Sequence, residues 1–475
     1  MIFDGWPYAQ YVKRVSALQY FVEFLEKKLG VSVLYGYKNA PFERPDLFDA
    51  FRIGQQLKDG KVITDIYPLA SFSDEPPLKL WGAACNDTKK TLAGGGSVES
   101  DEAALYAAFG EALERYLWFT QRDYFKKPRY ATASKISRFG NFIAPERFVS
   151  FTEAQREKNP HLRLNPNVEY LWIQGVSLVH EKKVYLPAQT ASAAVHPHNQ
   201  DHREPLIRQQ TTIGTATWPT KLGARLAGIL EIIEREAYMV MWFNQLTLPR
   251  IALEPLRQKN GALDIVLERC ERYRLRVHAV KMITDAPTHA VCAVVEDVSD
   301  LAPRFSFGLK AHRSLSLAVE RALLEALRAR RTFRSREEER NAWDPTMPIG
   351  KIGHIERTFY WALPQHAPRL SFLVEGKTIE TKEAQWENDS DQAHFERLIV
   401  WCRNKGYECV SVSAGTSAAN PTRWHVETVV MPDIQPTHLH ESLRHLSGVR
   451  LKAIPEQFGY TILPEPFVES PHPYC

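Results

Sequence analysis

Long segments with apolar side chains at helical spacing alternate along this chain with short apolar runs that end at turn residues. The helical spacing predicts long helices over about 101–119, 220–244 and 315–331, and shorter ones over 12–29, 264–275, 394–406 and 438–446. The short runs predict strands between 63 and 84 and over 31–37, 168–179, 184–188, 276–283, 290–297, 408–414 and 426–431, with a glycine-rich turn at 94–96 and a loop over 192–210. This mixture predicts an α/β fold of mixed α+β character, in which the strand order stays open.

Composition narrows the functional class. The chain has 475 residues, 44% hydrophobic and 24% charged, with a formal net charge of only +4. That balance is ordinary for a globular protein and predicts neither nucleic-acid nor membrane binding. The apolar stretch 226–243 contains Glu231, Glu234, Arg235 and Glu236, so it is not a membrane span. The start of the chain lacks a signal-peptide pattern and the six cysteines are widely spaced, so we expect a cytoplasmic protein without structural disulfides.

Two of the predicted long helices carry the same pattern, Glu-x-x-Glu-Arg. Residues three and four positions apart share a face of a helix, so each pattern projects two carboxylates and a guanidinium in one direction. An exposed pair of this kind contributes only about 0.3–0.5 kcal/mol and carries no function. The members are Glu111, Glu114 and Arg115 in the first helix, and Glu231, Glu234 and Arg235 in the second.

The apolar surroundings of both patterns favour a functional interpretation. Both helices are apolar around most of their circumference, so these acids are expected to be at least partly buried. Buried carboxylates cost several kcal/mol each unless they are paired or bound to a cation. Magnesium prefers such hard oxygen ligands and commonly shares them with substrate phosphates. A third helix adds Glu325, Arg328 and Arg330, which suit phosphate binding.

The expected nucleotide site is therefore built from helix faces. No phosphate-binding loop of the form G-x-x-x-x-G-K-[ST] occurs in the chain. The glycines at 94–96 precede a helix and are a weak additional signal for phosphate contact through main-chain N–H groups.

Three segments resemble the ATP-binding motifs of the YcaO family, in the same order and spacing. They read GGGSVESDEAALYAAFGEALERY, TIGTATWPTKLGARLAGILEIIEREA and AVERALLEALRAR. The segment VETVVMPDIQPTHLHESLRHLSGVRLKAIPEQFG and the terminus PHPYC resemble the end of the YcaO subunit of azoline-forming peptide cyclodehydratases, whose tails are typically proline-rich. The resemblance covers roughly 50–475 and implies a YcaO-type fold, with mixed sheets and long helices around a non-P-loop ATP site.

The resemblance also implies a domain organisation and a reaction. It implies an N-terminal extension over 1–50 and a YcaO domain over 51–475, with an ATP-binding core at about 85–335 and a C-terminal subdomain at about 336–475. The implied enzyme uses ATP and Mg²⁺ to phosphorylate a peptide amide oxygen after a Cys, Ser or Thr side chain adds to the carbonyl carbon. Phosphate then leaves, and a thiazoline or oxazoline remains.

The resemblance implies roles for individual residues. The proline-rich tail is expected to act in catalysis, with Pro471 and Pro473 docking it and the terminal carboxylate of Cys475 serving as a proton acceptor. The magnesium and nucleotide ligands are expected to be Glu111, Glu114, Glu231, Glu234 and Glu325. The arginines that orient them or contact phosphate are expected to be Arg115, Arg235, Arg328 and Arg330.

This chain departs from the family pattern at three positions. Ala107 stands where many members have Ser, Arg328 where many have Gln, and Ile213 where many have Asn before Gly214. Two alternatives stay open: a YcaO enzyme that forms thioamides or amidines, and a catalytically silent YcaO scaffold subunit.

The expected partners follow from the same resemblance. They are a ribosomally made precursor peptide, a separate protein that binds its leader, and, as an optional addition, a flavin dehydrogenase that oxidises azolines. A homo-oligomer is left open.

Overall fold

The computed structural model describes residues 47–86, 91–98, 100–120, 129–192, 198–199, 202–299, 301–382, 384–414, 422–462 and 467–474. The helix expected over 12–29, the strand expected over 31–37 and Cys475 lie outside these residues. The helices, in chain order, are α1 Leu47–Asp59, α2 Asp101–Thr120, α3 Ala133–Ile136, α4 Glu153–Lys158, α5 Lys221–Phe243, α6 Glu254–Arg257, α7 Gly261–Arg272, α8 Leu315–Arg334, α9 Glu337–Ala342, α10 Glu356–Ala362, α11 Asp391–Lys405 and α12 Arg450–Gln457.

The strands form three larger sheets and one short hairpin among the described residues. In chain order they are β1 Ile63–Pro68, β2 Lys79–Cys85, β3 Leu92–Ser97, β4 Arg129–Ala131, β5 Tyr170–Ser177, β6 Lys183–Pro187, β7 His198–Asn199, β8 His202–Arg203, β9 Thr215–Trp218, β10 Arg250–Ile251, β11 Leu275–Met282, β12 His289–Asp297, β13 Phe305–His312, β14 Thr378–Ile379, β15 Val410–Ser413 and β16 His425–Val430.

The first sheet is the antiparallel meander β1-β2-β3, and α2 packs on it. The sequence led us to expect a turn at 94–96, but these glycines lie in β3, where Gly95 pairs with Trp81 of β2. The close approach of α2 explains the glycines, because a Cβ on Gly95 would lie 1.8 Å from the carbonyl oxygen of Ala104. Glycine here permits contact between a strand and a helix.

The second sheet has the order β13-β12-β11-β10-β14 and is antiparallel apart from the β10–β14 pair. Helix α8 packs on its face in the same way as α2 packs on the first sheet. A Cβ on Gly308 of β13 would lie 2.0 Å from the carbonyl oxygen of Ala322. Strand β13 has no counterpart among the predicted elements.

The third sheet has the order β4-β5-β15-β16-β9, and β6 forms a hairpin with β5. Helix α5 is buried along most of its length, with one end in a cluster with Val429 of β16 and the other in a cluster with Leu309 of β13. Its all-round apolar sequence reflects this position between two sheets. The mixed α/β architecture predicted from the sequence is confirmed.

The helix predicted over 438–446 is wrong, since only the 3-10 turn Glu441–Leu443 forms there. A helix would pair the N–H of Ser442 with the carbonyl oxygen of His438, but that oxygen accepts a hydrogen bond from Arg357, and the Ser442 N–H donates to Nδ1 of His440. Tertiary hydrogen bonds outweigh local helix preference in this segment.

The expected boundary at residue 50 between the N-terminal extension and the YcaO domain lies inside helix α1. Among the described residues, none of the helices is long and apolar enough to cross a membrane. The five cysteines described, which are Cys85, Cys270, Cys292, Cys402 and Cys409, are buried thiols without disulfides.

Candidate functional site

Two of the predicted acids bond to glycine N–H groups that precede their own helices. Oε2 of Glu111 accepts the N–H of Gly94 at 2.8 Å, and Oε2 of Glu231 accepts the N–H of Gly214 at 3.0 Å. Gly214 has φ +86°, and a Cβ there would lie 2.3 Å from the carbonyl oxygen of Val429. Glycine is therefore required at the second position of the Ile213–Gly214 pair.

Two further acids bond to neighbouring N–H groups of strand β13. Oε2 of Glu325 accepts the N–H of Leu309 at 2.6 Å, and Oε2 of Glu234 accepts the N–H of Ala311 at 2.8 Å. Helices α8 and α5 therefore each place one carboxylate against the same strand, β13. One oxygen of each of these carboxylates is fixed to the main chain.

The electrostatics of Glu114 link α2 to α5. Burial raises the pKa of Glu114 well above its ordinary value, the charges of Glu231 and Glu111 raise it further, and Arg115 lowers it. Carboxylates influence one another in this way only at short range. The structure thus brings the two Glu-x-x-Glu-Arg patterns together.

A second group of acids extends the same cluster. Burial raises the pKa of Glu234, Lys310 and Arg235 lower it, and Glu325 and Glu231 raise it. The five carboxylates from α2, α5 and α8 therefore form one connected group, which we call the acid cluster: Glu111, Glu114, Glu231, Glu234 and Glu325.

Cations border the acid cluster. Arg115 donates to Oε1 of Glu111 from Nη2 at 2.6 Å and from Nε at 3.0 Å. Nη2 of Arg235 lies 3.4 Å from Glu231 and 3.5 Å from Glu234. Each predicted arginine of the two patterns thus remains beside its own acids.

The two predicted arginines of the third helix, α8, lie in different surroundings. Nη2 of Arg328 donates to the carbonyl oxygen of Gly94 at 2.7 Å and lies 3.8 Å from Glu111, so Arg328 belongs to the site. Arg330 is buried elsewhere, donating to Asp297 at 2.6 Å and to the Pro303 carbonyl oxygen at 2.9 Å. The physical reason is helical spacing: Arg328 follows Glu325 by three positions and shares its face, whereas Arg330 follows by five and does not. We therefore correct the prediction for Arg330, whose described contacts are structural.

The donor chemistry of the acid cluster fits magnesium. Several oxygens are already oriented by main-chain N–H groups, and carboxylate oxygens are the ligands that Mg²⁺ prefers. Crowded, desolvated carboxylates repel one another, and a divalent cation relieves that repulsion. Glu111, Glu114, Glu231, Glu234 and Glu325 are the residues that would hold it.

The tail over 467–474 runs into this site. Pro471 and Pro473 are buried, and the Pro471 carbonyl oxygen accepts Nε1–H of Trp361 at 2.8 Å. The hydroxyl of Tyr474 donates to Oε1 of Glu325 at 2.7 Å, and Arg235 lies 4.3 Å from the centre of the Tyr474 ring. Sequence reasoning missed Tyr474, although its place between Pro473 and the terminus was a signal.

A buried polar network holds the tail. Nε2 of His472 lies 3.0 Å from the carbonyl oxygen of His438, which also accepts Nη2–H of Arg357 at 3.0 Å. Nε of Arg357 donates to Glu441 at 2.8 Å, and Nε2 of His438 lies 3.1 Å from the other oxygen of Glu441. We call His438, Glu441, His472 and Arg357 the tail lock.

The tail lock has the residue types of a metal site but not its charge. Ligand atoms of His438, Glu441 and His472 lie within 4.8 Å of one another. Arg357, which is fully buried, already neutralises the carboxylate of Glu441. A divalent cation would therefore add uncompensated positive charge to a buried position. We interpret this group as a structural anchor.

A cleft opens beside the acid cluster and reaches Arg235. Its lining mixes polar and apolar side chains and includes Arg208, Gln209, Ile213 and Gln435. Burial lowers the pKa of Arg208 to about 10. Arg208 and Arg235 make this cleft a positively charged surface near the acid cluster.

Comparison with known proteins identifies the family. The family model described as YcaO cyclodehydratase, ATP- and Mg²⁺-binding, matches residues 95–435. An uncharacterized protein of Methanothermobacter thermautotrophicus is 27% identical over 165 residues, which are 34% of this chain and 42% of that protein. This chain therefore spans less than half of that relative.

Solved structures share the fold at low sequence identity. A heterocyclase in complex with substrate and cofactor superposes with a TM-score of 0.71 at 17% identity, covering 92% of this chain and 60% of that chain. YcaO from Methanopyrus kandleri, bound with AMPPCP and Mg²⁺, gives 0.56 at 17% identity and coverages of 82% and 90%. A chain of the Escherichia coli microcin synthetase McbBCD complex gives 0.54 at 13% identity and coverages of 78% and 88%.

The family match covers all three acidic helices that form the site. It begins within β3, which anchors Glu111, and ends after β16, which packs beside α5. The family and fold inferred from the motifs are confirmed, and with them the ATP and Mg²⁺ cofactors. The chain belongs to the YcaO cyclodehydratase family, whose members bind ATP and Mg²⁺.

Proposed function

We propose that this chain is the ATP-dependent subunit of a peptide cyclodehydratase. A Cys, Ser or Thr side chain of the substrate adds to the preceding amide carbonyl carbon, forming a C–S or C–O bond and losing its proton. The former carbonyl oxygen takes the γ-phosphoryl group of ATP and leaves as phosphate when its C–O bond breaks. The amide nitrogen loses its proton and forms the ring C=N bond, so the products are an azoline, ADP and phosphate.

The convergence of five carboxylates from three helices carries this proposal. Four of them have an oxygen held by a main-chain N–H, so the cluster is organised by the fold itself. Phosphoryl transfer depends mainly on positioning and on neutralising phosphate charge. We assign magnesium binding to the acid cluster and phosphate contacts to Arg115, Arg235 and Arg328.

The tail supports the azoline branch of the family. Its described part is buried at Pro471–Tyr474, and Tyr474 bonds to Glu325 of the acid cluster. We propose that Pro471 and Pro473 dock the tail and that the carboxylate of Cys475 accepts a proton from the reacting peptide. Proline restricts φ, so the docked tail loses little conformational entropy.

We propose a ribosomally made precursor peptide as substrate and a separate leader-binding protein as partner. The McbBCD complex, one of the structures with this fold, has been solved with pro-MccB17 bound. The cleft beside Arg235 offers a place for the peptide to approach the acids. A flavin dehydrogenase that oxidises azolines would act after this enzyme.

The test is to combine the chain with its partner and a peptide encoded nearby, and to measure ADP formation and loss of one water per ring by mass spectrometry. A peptide with its Cys, Ser and Thr replaced by Ala is the matched control and should lose no water. We expect ADP and rings in equal amounts and weak turnover without the partner. ADP formation with sulfide-dependent mass gain would instead indicate a thioamide-forming enzyme.

ATP turnover also distinguishes the scaffold alternative, which Ala107 and Arg328 raise. Ala107 is exposed on α2, and Arg328 contacts Gly94 and Glu111. Neither substitution removes a carboxylate of the acid cluster. Absence of ATP consumption under all combinations of peptide and partner would contradict the proposed activity.

A further inference from the structure

Tyr474 connects the docked tail to Glu325 of the acid cluster and also contacts Tyr238 and Arg235. Its hydroxyl donates to Oε1 of Glu325 at 2.7 Å, and its main-chain N–H donates to the hydroxyl of Tyr238 at 3.2 Å. The guanidinium carbon of Arg235 lies 4.3 Å from its ring centre. The side chain is 8% exposed, so these contacts lie inside the protein.

We propose that Tyr474 is a positioning residue that couples tail docking to binding of Mg²⁺ and nucleotide. It acts through Glu325, which it orients, and through Arg235, which it covers. The inference rests on the proposed nucleotide site and adds a regulatory link to it. The link is local, since one side chain belongs to the tail and touches a proposed metal ligand.

The geometry gives this coupling a positive sign. Glu325 receives one donor on each oxygen, Leu309 N–H at 2.6 Å and the Tyr474 hydroxyl at 2.7 Å. Two donors, one on each oxygen, fix the plane of the carboxylate. A carboxylate accepts more than one hydrogen bond per oxygen, so lone pairs remain for a cation. Ligand orientation by such contacts commonly strengthens metal binding.

Loss of the hydroxyl would leave Glu325 beside Glu234 with less compensation. The two carboxylates repel each other: burial raises the pKa of Glu234, and the charge of Glu325 raises it further. Coupling free energies are reciprocal, so a tail that favours Mg²⁺–nucleotide binding is itself held more firmly when they bind. If the Tyr474 hydroxyl instead competed with Mg²⁺ for Glu325, loss of the hydroxyl would strengthen Mg²⁺ binding.

The tail is also anchored by contacts that do not involve Tyr474. The proposed coupling can therefore be tested by removing only the Tyr474 hydroxyl. Trp361 donates to Pro471, Arg369 contacts Ser470, and the tail lock holds His472. Tyr474→Phe removes only the hydroxyl and keeps the ring over Arg235. The docked tail should therefore survive this substitution.

The experiment measures AMPPCP binding by calorimetry across a Mg²⁺ titration for the wild-type chain and for Tyr474→Phe. Tyr460→Phe is the matched control, because Tyr460 is partly buried near the same end of the chain but contacts no member of the acid cluster among its described bonds. We expect Tyr474→Phe to need about tenfold more Mg²⁺ for half-saturation and to unfold at a slightly lower temperature, because one buried hydrogen bond to a carboxylate is lost. Tyr460→Phe should match the wild type.

Hydrogen exchange of the tail provides the reciprocal measurement. Mg²⁺ with AMPPCP should slow amide exchange over 467–474 in the wild type and much less in Tyr474→Phe. Equal Mg²⁺ requirements in the two chains, or tighter binding by Tyr474→Phe, would overturn the coupling while leaving the nucleotide site intact. Failure of the wild-type chain to bind AMPPCP at any Mg²⁺ concentration would overturn both proposals.

Discussion

The two Glu-x-x-Glu-Arg patterns have the same residues but different surroundings. Arg115 of α2 bonds closely to Glu111, and its side chain is 36% exposed. Arg235 of α5 spans Glu231 and Glu234, lies against Tyr474 and is only 12% exposed. The two patterns thus differ mainly in their arginines: Arg115 is partly exposed, whereas Arg235 is enclosed by its two acids and the tail.

The difference indicates a division of labour. Glu114 has Arg115 as the cation that lowers its pKa, whereas Glu234 has both Lys310 and Arg235. The α5 pattern is thus the half of the site with more compensating cations, and the α2 pattern is the half that needs a bound cation most. We infer that α2 responds to loading and that α5 links loading to the tail.

The largest expected effect comes from removing one carboxylate of either pattern. Glu114→Gln or Glu234→Gln should reduce ATP consumption at least about a hundredfold, because charge neutralisation at the phosphates is the main catalytic device. Circular dichroism should show an intact fold. The matched control is Glu338→Gln, an exposed acid of α9, which should retain full ATP use. Near wild-type ATP use by the two cluster variants would mean that the patterns are only salt-bridged helix faces.

Removing the tail should separate ring formation from nucleotide binding. Deletion of residues 471–475 should abolish ring formation, because Pro471, Pro473 and the terminal carboxylate are lost. We expect nucleotide binding to survive but to need about tenfold more Mg²⁺ for half-saturation, because Glu325 loses the Tyr474 hydroxyl. Ring counts by mass spectrometry and AMPPCP calorimetry measure the two effects.

Chain extension is the control for tail deletion. Residues appended after Cys475 should impair cyclisation while preserving the Tyr474 contact and therefore the Mg²⁺ dependence. Normal cyclisation by both variants would remove the tail from the mechanism.

Substituting the paired arginines should sharpen the contrast between the patterns. Arg235→Lys should lower ATP turnover about tenfold, because a lysine ammonium cannot span two carboxylates and also stack on Tyr474. Arg115→Lys should lower it only about threefold, since Arg115 pairs with one partly exposed acid. Steady-state ADP release at saturating peptide measures both. Equal losses would contradict the division of labour.

Helical spacing and apolar surroundings predicted which carboxylates share a helix face, whereas the full set of five acids came from the family resemblance. They predicted the faces of α2 and α5 because residues three and four positions apart must point together. They failed for Arg330, whose partner Asp297 is 33 positions away in the sequence. They also failed at 438–446, where the distant Arg357 bonds to the His438 carbonyl oxygen that a helix would need as an acceptor.

Contacts made by the tail were outside the reach of pattern analysis. Its prolines indicated an extended segment, but the Tyr474–Glu325 bond joins residues 149 positions apart. The glycines of β3 were assigned to a turn because their packing against α2 depends on a distant approach of main chain. Local patterns predict elements and faces, whereas long-range packing decides which faces meet.

The smallest expected effect concerns the tail lock and pH. Burial, followed by Arg357 and His438, lowers the pKa of His472 well below its ordinary value, whereas Glu441 raises it. An unfolded histidine with a pKa of about 6.5 binds a proton below that pH, and the folded His472 does not. The unfolded state therefore gains protons first, and stability falls as the pH drops from about 7.5 to about 6, by about 1 kcal/mol for this group.

His472→Gln keeps a donor for the His438 carbonyl oxygen but cannot titrate, so its free energy of unfolding should fall less over this range. His180→Gln, at an exposed position, should keep the wild-type slope. Parallel slopes for wild type and His472→Gln in urea unfolding would show that the tail lock accepts its proton without opening.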